Sequence, residues 1–399
     1  MTESLPIVYL KKREDRRIRR GHPWVFSNEV DTDRSPLQQF EAGDSVELRA
    51  ADETSLGSGY INPRSLIAVR LLGRGTHHRL TNSLLKRRFE QALALREKLF
   101  TKPFYRLVHG EGDALPGLVI DRYGSVFTVQ ISTAGMDAAT EKVVTLLQEM
   151  FAPEAIVLRN DIASRALEGL EQTITVADGS VPESIEIEEN DARFIVNPSA
   201  GQKTGWFYDQ RLNRQILRRY SAGLKVLDLF SYTGGFGINA ALAGATEVCC
   251  MDSSASALAG VAQNASLNGV SDQVETLEDD VFKTLGRLRS EGRKFDLVIV
   301  DPPALIPRRK DRVAGGRAYE RLNRQAIALL EKDGYFFSAS CSFHLDAEQL
   351  RDAIFLGART EGRRLQFLER GQQGPDHPIR PNMPESEYLK LFVSRVMSG

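Results

Sequence analysis

Cysteine is nearly absent: the 399 residues include three, two of them adjacent as Cys249-Cys250. That supply gives neither the even framework of a disulfide-stapled secreted domain nor a CxxC pair at metal-ligand spacing, so disulfides and structural zinc are not expected, and no metal site is assigned. Long apolar runs are missing too. No window approaches the ~18 consecutive apolar residues of a spanning helix, so no membrane segment is expected. The opening MTESLPIVYLKKRED puts its charges after a short apolar patch, the wrong order for a secretory signal. A cytoplasmic protein with reduced thiols is the expectation. Net charge, at −1, is also lacking. This removes a basic average as a pointer to nucleic acid, although a local positive surface would suffice.

With 42% hydrophobic and 26% charged residues, the composition is that of a globular chain, and its length suggests two or three domains. The first ~70 residues alternate short apolar runs with turn residues (PIVYL, HPWVF, DSVELRA, GSGYIN, SLIAVRLL), the pattern of a small all-β module. NSLLKRRFEQALALREKLF then predicts a helix from residue 82, with Asn82 as N-cap. GLVIDRY, VFTVQIS, EAIVLRN and QTITVAD read as strands around a second helix, making a mixed α+β domain. The charged stretch DGSVPESIEIEENDA marks a further boundary. The expected domains are 1–73, 74–187 and 188–399.

From Lys225 onward the rhythm becomes strand and helix in alternation: KVLDLF, TEVCCMD, QVETLEDDV, FDLVIVDPP, GYFFSASCS and LKLFVSRV. Apolar runs separated by helix-period segments predict a parallel sheet covered on both faces, a Rossmann-type α/β domain. Ligands bind such sheets beyond the carboxyl ends of the strands, so the residues just after each run are the candidates.

After the first run comes LDLFSYTGGFGINA, whose glycines permit close backbone approach and whose following helix offers unpaired N–H groups. GFGINA satisfies G-x-G-x-x-[GA], and Asp252 stands eighteen residues beyond Gly234, so a nicotinamide dehydrogenase is a competing reading. Its spacing is poor. Phe230, Ser231, Tyr232 and Thr233 separate strand from glycine, and the strand carries Asp228. That longer turn through Gly234 and Gly235 suits the amino-acid end of S-adenosylmethionine. Asp252 with Ser253 would meet ribose hydroxyls, Asp279 and Asp280 the adenine, and Asn264 on the intervening helix joins the set. Each acid could equally be an ordinary loop residue.

The fourth run ends Asp301-Pro302-Pro303, where two prolines stop the ladder and hold the acid at the sheet edge. Amine methyltransferases follow such a motif with an aromatic. Here Ala304 follows, which disfavours that chemistry. The fifth run delivers Cys341 to the same edge, one strand over. A lone cysteine is commonly a small buried hydrophobe, the reading adopted for Cys249 and Cys250. At a strand end beside an acid, Cys341 is instead a candidate nucleophile: a thiolate adding to carbon 6 of a pyrimidine makes carbon 5 able to accept a methyl group.

With these residues in place, the chain resembles the bacterial 23S ribosomal RNA 5-methylcytosine methyltransferases of the ribosomal RNA large subunit methyltransferase I family. RRGHPWVFSNEV is similar to the opening of their PUA domain and RLVHGEGDALPGLVIDRYG to their central domain. GQKTGWFYDQRLNR, FSYTGGFG, DPP, YERLNRQA, SCS and PESEYLK follow the catalytic half in order. The resemblance implies S-adenosyl-L-methionine as methyl donor, Cys341 as nucleophile with Asp301 as partner, and Lys203, Phe207, Asp209, Arg211 and Pro302 near the cofactor. It departs from the family at Ala304-Leu305, where a lysine and an aromatic are frequent.

The resemblance also gives the basic clusters a use. KKREDRRIRR and RRKDRVAGGRAYERLNR each hold seven Lys/Arg against two acids. A charge run is commonly only a solvated face. Read functionally, Arg13, Arg16, Arg17, Arg19 and Arg20, with Arg308, Arg309, Lys310 and Arg317, would contact phosphates of 23S ribosomal RNA that is naked or partly assembled. Methylation of another ribosomal RNA base and a non-catalytic RNA-binding assembly factor stay open, as does a homodimer.

Overall fold

The computed structural model describes residues 4–399. The chain divides into two compact units: Met1–Ile185 with Val196–Tyr208 and Pro375–Ser386, and Glu186–Ile195 with Asp209–Gly374 and Glu387–Gly399. The first unit contains two five-stranded sheets. One is built from Ile7–Tyr9, Trp24–Phe26, Ser45–Arg49, Ser55–Ile61 and Ile67–Gly73, one strand for each predicted apolar run. The other is built from Phe104–His109, Leu118–Tyr123, Val126–Ile131, Ala155–Arg159 and Ile174–Gly179. The helix Asn82–Leu99 packs its Leu85 and Phe89 into the second sheet's core. Its N-cap is Thr81 and not Asn82: the Thr81 hydroxyl accepts the Leu84 N–H at 3.3 Å.

The second unit holds a seven-stranded sheet. Its strands in chain order are β1 (Lys225–Leu229), β2 (Glu247–Asp252), β3 (Val274–Glu278), β4 (Phe295–Val300), β5 (Leu330–Ser340), β6 (Arg363–Gln372) and β7 (Lys390–Ser398). The spatial order is β3-β2-β1-β4-β5-β7-β6. β1 to β5 pair in parallel, while β7 is antiparallel to both β5 and β6. Helices α1 (Arg211–Arg218), α2 (Gly235–Leu242), α3 (Ala255–Leu267), α4 (Val281–Ser290), α5 (Arg312–Ile327) and α6 (Ala347–Thr360) alternate with the strands. Central strands sandwiched between helices contribute apolar side chains to one core: Leu227, Leu229, Val298, Val300 and Phe336 join Tyr319, Leu322 and Ile354 in one buried cluster.

Two connections fix where the strand ends lie. The loop after β1 has Phe230, Tyr232 and Gly234 in the left-handed region, at φ of 63°, 48° and 83°, so the chain reverses within a few residues. Gly237, on the first turn of α2, lies against β1 and β2. A Cβ there would stand 2.4 Å from Cys250 Sγ and 3.2 Å from Asp228 Oδ2. Among the described residues no helix is long and apolar enough to cross a membrane.

Close packing at Gly237 predicts that Gly237→Ala destabilises the protein by about 1–3 kcal/mol, since added volume in a filled core forces backbone shifts. A thermal melt against the parent checks this. An unchanged melting temperature would mean that α2 is not seated against β1.

Candidate active site

The carboxyl ends of β1, β2, β4 and β5 gather Asp228, Asp252, Asp301 and Cys341 among the residues singled out from the sequence. Asp228 is buried near the end of β1, and its Oδ2 accepts the Gly237 N–H at 2.8 Å. Among the described residues its Oδ1 has no hydrogen-bond partner, and neither does Ser231 Oγ or Thr233 Oγ1, although all three atoms are buried. Buried polar atoms are normally paired, so three orphans, one near the end of β1 and two on the turn after it, are the groups here able to meet a ligand. Burial pushes the Asp228 carboxyl up to about 8, against the Gly237 hydrogen bond that favours its charge. Asp301 and Asp252 add to the rise.

The rest of the glycine turn is held by other candidates. Asp252 ends β2 and accepts N–H groups from Tyr232 and Ser254, each at 3.0 Å. Asn264 is buried, donates to the Thr233 carbonyl at 2.9 Å and accepts from the Ile195 N–H at 2.8 Å. Its amide therefore braces the turn. Asp280 caps α4 by accepting the Lys283 N–H at 3.1 Å, while Asp279 is tied to β2 through its own N–H to the Asp252 carbonyl at 3.1 Å. Ser253, directly after Asp252, is exposed.

β4 and β5 are parallel neighbours, so Asp301 and Cys341 follow strands ending at the same edge. The Asp301 carboxylate accepts Gln210 Nε2 at 2.9 Å, and Gln210 Oε1 accepts Asn213 Nδ2 at 2.6 Å. Gln210 belongs to the GQKTGWFYDQRLNR segment but was not among the residues picked from sequence. The Cys341 thiol is half-buried, with Sγ 4.0 Å from the Pro302 carbonyl oxygen. Cys249 and Cys250, inside β2, are buried, and burial raises both thiols.

The serines around Cys341 explain its placement. Ser338 Oγ donates to Asn323 Oδ1 at 2.7 Å, Ser340 Oγ donates to the Tyr319 hydroxyl at 2.8 Å, and that hydroxyl lies 3.0 Å from Ser342 Oγ. Ser342 Oγ also accepts the Ile306 N–H at 3.2 Å, joining the thiol turn to the turn beyond DPP. Alternate residues of a strand share a face, as do residues four apart on a helix. Ser338 and Ser340 thus meet Asn323 and Tyr319 of α5 two against two.

The remaining candidates have partners of their own or are exposed. Asp209 accepts the Tyr388 hydroxyl at 2.7 Å, and Arg211 Nε lies 3.3 Å from the buried carboxylate of Glu189. Lys203 and Phe207 belong to the segment that clusters with the first unit, with the ammonium 4.9 Å from the ring centroid. In that unit Arg13, Arg16, Arg19 and Arg20 are exposed. Arg17 turns inward, pairing with Glu29 at 2.9 Å and donating to the Trp24 carbonyl at 3.0 Å, so it supports its own module. Arg308, Arg309 and Lys310 are exposed before the start of α5, where Arg308 pairs with Asp311 at 2.8 Å, and Arg317 is exposed in the helix's second turn.

A family model described as S-adenosylmethionine-dependent methyltransferase matches residues 168–390, and one described as a PUA-like domain matches residues 8–74. The chain is 35% identical over 403 residues to the ribosomal RNA large subunit methyltransferase I of Klebsiella pneumoniae (strain 342), covering 100% of each. It is 33% identical over 394 residues to the same-named protein of Pseudoalteromonas atlantica, covering 98% of this chain and 99% of the relative. A solved structure described as a SAM-dependent methyltransferase from Streptococcus mutans superposes with a TM-score of 0.83 at 21% identity, over 98% of this chain and 100% of the other. A second, solved in complex with SAH, superposes at 0.84 and 22%, over 98% and 99%. These two likenesses show the fold. The family match sets aside the dinucleotide reading of GFGINA. The orphaned atoms at the glycine turn fit S-adenosylmethionine: a carboxyl for an ammonium group, and two hydroxyls for a carboxylate.

A carboxyl held neutral by burial makes stability depend on pH. Below about 4, folded and unfolded chains both carry the proton. As pH rises from there to about 8, only the unfolded chain sheds it, so this group's contribution to stability falls. Asp228→Asn, a neutral isostere, should flatten the decline in melting temperature of the cofactor-free protein between pH 5 and pH 8. Identical slopes in parent and variant would show that Asp228 ionises normally.

Proposed function

The chain belongs to the S-adenosylmethionine-dependent methyltransferases of the ribosomal RNA large subunit methyltransferase I family, and from that membership we propose that it methylates carbon 5 of a cytosine in 23S ribosomal RNA. We read residues 1–73 as a PUA RNA-binding domain, 74–187 as a central domain and 188–399 as the catalytic domain of a cytoplasmic enzyme. The observation that carries the cytosine reading is the half-buried Cys341 thiol beside the Pro302 carbonyl, one strand from Asp301.

When bound, S-adenosylmethionine supplies a methyl group on a sulfonium, an electrophile that carbon 5 of an unactivated cytosine is too weak to attack. Cys341 provides the activation. Its thiolate adds to carbon 6, forming an S–C bond and turning the ring into an enamine with electron density at carbon 5. Once carbon 5 has gained the methyl group, the broken S–CH3 bond leaving the donor as a neutral thioether, loss of the carbon 5 proton to solvent restores the double bond and releases the thiolate. Asp301, oriented by Gln210, accepts a hydrogen bond from the exocyclic amine and so fixes the ring edge. The Tyr319–Ser340–Ser342 hydroxyls fix the thiol turn, which limits reorganisation during attack. At the glycine turn, Asp228, Ser231 and Thr233 hold the amino-acid end of the donor.

Cys341→Ala should abolish methyl transfer to ribosomal RNA, read by mass mapping of the modified nucleoside, while calorimetry still detects S-adenosylmethionine binding. Turnover retained without the thiol would exclude the covalent route and move the reading to another base.

Exposed Arg308, Arg309, Lys310 and Arg317 act on the RNA backbone. Affinity for a single-stranded ribosomal RNA fragment should fall with salt at a log–log slope of roughly −0.7 per neutralised phosphate. Replacing the four by alanine should make that slope shallower. A slope unaffected by the replacement would leave them as solvated surface.

A further inference from the structure

Lys390 opens β7, and the antiparallel register sets it directly opposite Ser340 of β5. Residues opposite one another in such a pair share a face of the sheet, so the lysine side chain runs beside the turn that carries Cys341. Its Nζ donates to the Ser342 carbonyl at 2.7 Å, and the residue is only 8% exposed. A carbonyl dipole alone is poor compensation for an ammonium withdrawn from water, and buried charges are ordinarily paired with an opposite one.

The acidic groups near Lys390 are Cys341, Asp346 and Glu387. Asp346 is the N-cap of α6, with Oδ1 accepting the Gln349 N–H at 2.8 Å. Glu387 is exposed and screened by solvent. The anion best matched to this ammonium is therefore the ionised sulfur of Cys341. We propose that Lys390 is the counter-charge of the Cys341 thiolate, a positioning residue that acts through the nucleophile and does not touch the RNA base. The proposal rests on the reading of Cys341 as nucleophile, but it concerns the ionisation of the thiol and not the identity of the base.

The coupling is reciprocal. Burial pushes the Lys390 ammonium down to about 8, and the sulfur's charge draws it upward. An ammonium beside a thiol favours the ionised form of the sulfur. Below about 8 the ammonium is present and supports the thiolate, and above that pH its support is lost as the lysine proton leaves.

Alkylation measures this without RNA or methyl transfer. Cys249 and Cys250 are buried, at 2% and 0% exposure, so iodoacetamide applied to the folded full-length protein reports on Cys341. The pH midpoint of that reaction, followed by peptide mass spectrometry, should lie below the ordinary thiol value of about 8.5. Lys390→Met should raise the midpoint and slow alkylation at pH 7 about tenfold, the equivalent of roughly one pKa unit. Lys390→Arg should keep the midpoint low. Calorimetry with S-adenosylmethionine checks that each variant is folded. If Lys390→Met does not fold, Cys341→Ser supplies the reverse measurement: with the anion removed, the Lys390 pKa, followed by NMR of its side chain, should fall. An unmoved thiol midpoint in folded Lys390→Met, or an unmoved lysine pKa in Cys341→Ser, overturns the proposal. Methyl transfer surviving in Cys341→Ala would instead remove the cytosine reading and leave the alkylation result standing.

Discussion

Parallel pairing from β1 to β5 is the constraint from which the rest follows. Strands running in one direction finish at one edge, and each is followed there by a loop that the ladder does not fix. Asp228, Asp252, Asp301 and Cys341 stand in different strands or just beyond them, yet the registers of β2, β1, β4 and β5 bring all four to that edge. None of them needs a neighbour in sequence. What each needs is an apolar strand long enough to deliver it, and the buried runs around Leu227, Val298 and Phe336 provide that.

A second layer of polar side chains makes the edge rigid. Asn264 ties the glycine turn to the backbone at Ile195, Gln210 holds the Asp301 carboxylate, and Tyr319 joins Ser340 to Ser342. Buried networks of this kind are stabilising when every member is satisfied and costly when one is missing. Asp228 Oδ1, Ser231 Oγ and Thr233 Oγ1 differ from these braces in having no hydrogen-bond partner among the described residues. Arginine serves the same scaffold. Arg214 meets the buried Glu189 at 2.6 Å, and Arg96, fully buried, meets Asp113 at 2.6 Å.

Residues governed by local rules were legible in the sequence. Asp301 before two prolines, the glycine turn after a β run, and a cysteine closing an apolar strand each carry their chemistry within a few positions. All five strands of the first sheet follow runs read from the sequence. Phe104–His109 and Arg363–Gln372 were passed over because their polar and charged residues interrupt the apolar pattern, as edge strands often do. Gln210 and Lys390 were hidden for a different reason. Their partners lie 91 and 48 positions away, and no periodicity encodes such a meeting. Arg17, Asn264 and Asp280 show the converse, since polar residues in suggestive places are occupied by ordinary caps and pairs. Tyr319 and Asn323 could have been found by setting the helical spacing of four against the alternating serines of the strand.

β7 has one more effect. A strand laid against the prevailing direction enters the sheet where its neighbours leave, so its opening residue is presented at the edge that otherwise receives only closing ones. A single reversal therefore lets a late stretch of chain recruit chemistry to a boundary already crowded by earlier loops, with no crossover helix between. In this family fold, topology enlarges the stock of side chains available at the mouth of the sheet.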